Sequence, residues 1–165
     1  MDIKETAKKI VSDNKGILAA DESFGTIEKR FTKLGIESTE ENRREYREIL
    51  FTTGGIEKYI SGVILFDETL HQKTPGGMPL VEVLKNKGII PGIKVDQGKV
   101  DTPFFPEEFI TEGLDGLCER LKKYKDSGAE FTKTTSWVLQ SHILRFFTLK
   151  RNYQIPIVLC FFTFP

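Results

Sequence analysis

Apolar residues recur along the first 133 positions in two alternating rhythms. Ile3, Ala7, Ile10 and Val11 fall at helical spacing, which predicts an amphipathic helix over residues 2–13. The next run, Ile17 to Ala20 after Gly16, is continuously apolar and ends at Asp21, the pattern of a buried strand. Ile27, Phe31 and Leu34 then recur at i, i+4 and i+7, with Gly35 as a stop signal. Ser38, followed three residues later by Glu41, reads as a capping box for a helix whose inner face is Tyr46, Ile49 and Leu50.

The alternation continues. "GVILF" (62–66) predicts a second buried strand, running into Asp67 and Glu68. Residues 79–88 predict a short helix, with Pro79 near its start and Gly88 after its end. "GIIPGIKVD" contains a third strand leading into Lys94 and Asp96, and "TPFFPEE" (102–108) reads as a loop. Leu114, Leu117, Leu121 and Tyr124 mark a helix from about Glu112 to Asp126, stopped by Gly128. "AEFTK" begins a fourth strand that ends near Lys133. Strand and helix in alternation, with apolar strands, predict a parallel α/β fold. The strand C-ends carry Asp21, Asp67, Lys94, Asp96 and Lys133. In a β/α barrel those ends converge on one face, and in a doubly wound sheet they line a crevice. No G-x-G-x-x-G or P-loop follows the first strand, which weighs against a nucleotide site.

At Thr134 the character of the chain changes. All 24 Asp and Glu residues lie within residues 1–133. The last stretch carries Arg145, Lys150 and Arg151 as its only charges, together with five of the 13 Phe. It reads as a helix from Trp137 to Leu149 and a strand-like apolar run over 155–162. The expected organisation is therefore two segments: residues 1–133, and a divergent tail, 134–165. A frame change, a retained intron or a misassembled gene end produces this kind of abrupt loss of acids and caps.

Composition narrows the function classes. With 24 basic and 24 acidic residues, nothing in the charge favours a nucleic acid or an anionic membrane as partner. The longest apolar run is too short to span a bilayer, and the N-terminus lacks a signal-peptide h-region. Cys118 and Cys160 have no metal or CxxC spacing, so no metal site is expected and a reducing compartment fits.

Lys94 and Lys133 each close an apolar strand. A partly desolvated lysine there can neutralise phosphate, transfer a proton or form an imine. Asp21 on the same rim could shuttle a proton. "SFGT" (23–26), ahead of a helix with Lys29 and Arg30 in its first turns, could cradle an anion. Each feature has a plainer reading. The lysines could simply reach solvent, and Asp21 or Ser23 could be a helix N-cap. His71 has no evident partner and reads as surface.

The stretches "KGILAADES", "STEENRREYRE", "GVILFDETLHQK", "GIKVDQG", "GLDGLCERLKKYKDSGAEF" and the lysine of "FTK" together resemble class I fructose-bisphosphate aldolase, over residues 1–133 and in the family's order. The resemblance implies an incomplete (β/α)8 TIM barrel, about the first four βα units. It implies a cytoplasmic glycolytic lyase that reversibly cleaves fructose 1,6-bisphosphate to dihydroxyacetone phosphate and glyceraldehyde 3-phosphate through a Schiff base, with neither metal nor cofactor. The implied catalytic residues are Asp21 for proton transfer at the cleaved bond, Lys94 near the substrate, and Lys133 for carbinolamine and proton-transfer steps. Ser23, Thr26, Lys29 and Arg30 match the first phosphate-contacting loop, and Arg43 a further substrate-linked arginine.

The departures are as informative. Thr134 and Thr135 stand where the family has Trp-Arg. The fifth-strand glutamates, the sixth-strand lysine that forms the imine, and the second phosphate loop have no counterpart. Lys150 is the only lysine of the tail and lacks a strand-end setting. The expectation is thus an aldolase by family that is inactive as this chain alone. The family's homotetramer is in doubt too, because much of the assembly surface is missing. The alternative is a non-catalytic phosphate- or protein-binding fragment derived from an aldolase. Another lysine-dependent enzyme on the same barrel is disfavoured by the complete set of motifs.

Overall fold

The computed structural model describes residues 3–11, 14–101, 103, 109–134 and 157–159. In chain order the elements are α1 (Ile3–Ile10), β1 (Gly16–Ala20), α2 (Phe24–Thr32), α3 (Glu40–Thr52), a short 3₁₀ turn (Ile56–Lys58), β2 (Ile60–Leu65), α4 (Asp67–His71), α5 (Leu80–Asn86), β3 (Ile90–Lys94), β4 (Gly98–Asp101), β5 (Phe109–Glu112), α6 (Leu117–Asp126), β6 (Phe131–Thr134) and β7 (Ile157–Leu159).

Five strands form one sheet in the order β1-β2-β3-β6-β7, and every pairing in it is parallel. All strand C-termini therefore lie along one edge. The register places Ala20 beside Leu65, Leu65 beside Ile93, and Lys94 beside Lys133. Successive side chains of a strand alternate between faces. One face carries Ala20, Val63, Leu65 and Ile93, and packs against Phe51 of α3, Leu80 and Leu84 of α5, and Leu121 of α6. This is the main core.

The opposite face holds a smaller cluster, Ile10 of α1 with Ile64 and Phe131, flanked by Ile17 and Ile90. Ser61, near the start of β2, donates to the Ile10 carbonyl over 2.5 Å and to the Gly16 carbonyl over 3.2 Å. Helix α1 is thereby tied to the N-terminal end of the strands. The C-terminal half of that face is left to polar side chains. Phe131 lies across this face, fully buried, and its ring occupies the space where Gly92 has no side chain. A Cβ at Gly92 would come within 2.3 Å of the ring, far inside van der Waals contact, and one at Gly62 within 3.3 Å of it. Glycine at position 92 is a packing requirement set by the neighbouring strand.

Several sequence expectations are corrected here. The cap of α3 is Thr39, whose hydroxyl accepts from the Asn42 amide over 3.1 Å, and not Ser38. The buried face of α3 carries Arg47 and Phe51, whereas Ile49 is 67% exposed. Leu34 lies beyond α2 and is 74% exposed. Lys29 and Arg30 sit in the last turn of α2, not the first. The helix expected from about Glu112 begins at Leu117, because Glu112 belongs to β5 and Leu114 is exposed. The antiparallel β4–β5 hairpin was not anticipated. Its strands have four residues each and no buried position, so they leave no apolar rhythm to read. The helix expected over 137–149 lies outside the described residues. So does most of the loop at 102–108 and of the apolar run at 155–162, of which Ile157–Leu159 forms β7.

Candidate active site

The site forms where the strands end. Lys133 Nζ donates to Asp21 Oδ2 over 2.8 Å, and the two side chains are only 13% and 9% exposed. Lys94, the register partner of Lys133, pairs with Asp96 Oδ1 over 2.5 Å and donates to the Asp96 carbonyl over 2.9 Å. Neither lysine escapes to solvent. Two ammonium groups side by side are tolerated because each faces a carboxylate.

A cavity of about 1050 Å³ opens beside Lys94 and Asp96, lined among others by Ser23, Thr26, Phe66, Arg120 and Tyr124, whereas Asp21 and Lys133 are not part of its lining. Ser23 is the N-cap residue of α2 by backbone, yet its hydroxyl caps nothing and contacts the Thr26 hydroxyl at 3.2 Å. Both hydroxyls face the cavity at the positive end of a nine-residue helix. Burial pushes the Tyr124 phenol above its ordinary value, and the nearby Asp67 carboxylate adds to this while Arg120 opposes it. His71, exposed, also lines the cavity.

The remaining expected cations are placed differently. Lys29 is exposed and does not line the cavity. Arg30 pairs with Glu22. Arg43 forms a two-pronged pair with Glu68, Nε to Oε2 at 2.9 Å and Nη2 to Oε1 at 2.6 Å, while its guanidinium lies 4.8 Å from the centre of the Phe24 ring. The hydrogen bonds it donates to Glu68 hold the Arg43 charge more firmly than usual, against the opposing effect of burial.

Sequence reasoning passed over Arg47, which is fully buried. Its Nη2 donates to the Glu22 carbonyl at 2.9 Å and to Glu22 Oε2 at 3.2 Å, and its Nη1 donates to the Thr69 hydroxyl at 3.0 Å. Tyr46 also donates to Glu22, over 3.3 Å. A signal was present: Arg43, Arg47 and Phe51 recur every four residues, so the apolar anchor Phe51 marks the arginine face as the inner one. Among the described residues no group of His, Cys, Asp and Glu is arranged to hold a metal ion. No helix among them is long and apolar enough to cross a membrane.

Parallel strands that end in a lysine–carboxylate cluster, with α3, α5 and α6 packed on one face, have the arrangement of an α/β barrel wall. The sequence profile for fructose-bisphosphate aldolase class-I matches residues 2–143. Fructose-bisphosphate aldolase 1 of Toxoplasma gondii is 58% identical over 132 residues, which is 80% of this chain and 36% of the relative. Fructose-bisphosphate aldolase 2 of Plasmodium berghei matches with the same identity and coverage. In three dimensions the chain resembles fructose-bisphosphate aldolase from Plasmodium falciparum, solved in a ternary complex with TRAP and a small-molecule inhibitor. The TM-score is 0.78 at 55% identity, covering 81% of this chain and 39% of that one. The chain belongs to the class I fructose-bisphosphate aldolase family, and its fold is part of that family's α/β barrel. It spans a little over a third of the length of these relatives.

Proposed function

We propose that this chain provides the substrate-facing first strands of a cytoplasmic, glycolytic class I fructose-bisphosphate aldolase, whose substrate is a sugar bisphosphate cleaved reversibly through a Schiff base. The observation that carries the reading is the Asp21–Lys133 pair beside Lys94, on one face at the strand C-ends. Aldol cleavage removes a proton from the hydroxyl next to the breaking carbon–carbon bond, while the electron pair of that bond flows toward the carbonyl or imine carbon. Asp21, a carboxylate already engaged with an ammonium, can take that proton, and Lys133 can return one to the nascent product. Lys94 and the Ser23 and Thr26 hydroxyls at the α2 N-terminus suit an anionic phosphate. Lys29, Arg30 and Arg43 complete the cationic set of this reading, with Arg30 exchanging Glu22 for the phosphate.

The imine-forming lysine is not part of this reading of residues 1–165. Lys94 and Lys133 are both paired with carboxylates, and Lys150 is the only lysine after Lys133. The second reading, a phosphate-binding fragment without catalysis, is favoured by Thr134 and Thr135 in place of Trp-Arg and by β7 seated against Lys133. Calorimetric titration tests the ligand class. Fructose 1,6-bisphosphate should bind saturably and lose its binding in Lys94→Met. No binding, or binding matched by inorganic phosphate and indifferent to Lys94→Met, would contradict the proposal.

A further inference from the structure

The β1–β2 ladder stops at Ala20 and Leu65, so strand pairing does not hold the residues that follow, including Asp21. Arg47 takes over at that point. It reaches from α3 to two places at once, the Glu22 carbonyl and carboxylate after β1 and the Thr69 hydroxyl in α4 after β2. Both partners are buried, as is the guanidinium. The planar fork of arginine spans acceptors on either side of it, which a lysine ammonium at one point cannot do. Glu22 is the residue after Asp21, so the hold on its carbonyl fixes the peptide next to the one that presents the Asp21 carboxylate to Lys133.

We infer that Arg47 is a positioning residue. Fully buried, it is closed to ligands, and it sets the Asp21–Lys133 contact by clamping the loops after β1 and β2 in one geometry. The inference rests on the reading of Asp21 and Lys133 as the chemical pair of the site. Its counter-charge Glu22 also holds Arg30 and Tyr46, so a single carboxylate links α2, α3 and the β1 exit.

The test uses the full chain and reads the Lys133 amine directly. Each lysine is labelled with an acylating reagent, and the rate at Lys133 is followed by mass spectrometry. An amine whose protons point into a carboxylate is occupied, and loss of the contact frees it to react. Asp21→Asn gives the rate for a Lys133 freed of its carboxylate counter-charge. Arg47→Lys, which keeps the charge and loses the fork, should raise the Lys133 rate severalfold toward that value. Phe51→Leu, a buried change one turn along α3, serves as the stability-matched control and should leave the rate at the wild-type level. Thr69→Val removes only one arm, folds more readily, and should give a smaller rise in the same direction. A rate unchanged in both Arg47→Lys and Thr69→Val, or raised equally in Phe51→Leu, would overturn the positioning role. A rate unchanged in Asp21→Asn would instead sink the underlying Asp21–Lys133 reading, and the inference with it.

Discussion

Lys133 Nζ and Asp21 Oδ2 meet at 2.8 Å although their strands stand three places apart in the sheet. Strands lie about 4.8 Å apart in the hydrogen-bonding direction, so a flat sheet would separate the two backbones by ~14 Å. Both side chains also rise from the sheet instead of lying along it. The contact therefore requires a sheet that curls toward the face carrying Phe131, Lys94 and Lys133. Curvature over four parallel strands is the geometry of a barrel wall, and it draws residues distant in sequence together at one candidate site.

Gly92 makes that curvature affordable in space, because the Phe131 ring fills the volume its side chain would occupy. Gly92→Ala should destabilise the chain by about 3 kcal/mol, at the upper end for overpacking a rigid core. Urea unfolding followed by circular dichroism measures this. Wild-type stability in Gly92→Ala would show that the ring has room to move.

The inner face of α3 is set by Phe51 and Arg47, with Ile49 outside. Phe51→Ala should cost ~3–5 kcal/mol, the usual range for an emptied aromatic site. Ile49→Ala and Leu34→Ala should each stay within about 0.5 kcal/mol of wild type, as solvent-facing changes do. The reverse ranking would restore the face that apolar spacing alone suggests.

That contrast shows what the sequence could tell. The four main strands were legible from their continuous apolar runs, and the central β2 and β3 are buried on both faces, as in Val63-Ile64-Leu65. Asp21, Lys94 and Lys133 were legible as strand-end residues. The face of α3 was legible only in part: Leu50 packs against the core and Tyr46 against Phe31, but a buried arginine interrupts the apolar stripe and exposed Ile49 supplies a false one. The placements of Arg30 and Arg43 were hidden for a related reason. Each is held by a glutamate on another element, Glu22 and Glu68, and long-range ion pairs leave no local spacing to detect.

Tyr124 gives the site a pH signature. Its folded-state value is raised above 10.0, so its contribution to stability is complete below that pH and is lost as pH climbs through the raised value. The melting temperature should fall above pH ~10. Tyr124→Phe should flatten that fall and leave neutral-pH stability nearly unchanged. Parallel curves for the two proteins would remove Tyr124 as the cause.

The proposed function assigns the imine to none of the lysines within residues 1–165. Borohydride reduction in the presence of dihydroxyacetone phosphate, followed by intact-mass measurement, tests it most directly. The chain should keep its unmodified mass, with a full-length family member trapped in the same mixture as the positive control. A covalent adduct on Lys94, Lys133, Lys150 or any other lysine of the chain would contradict it.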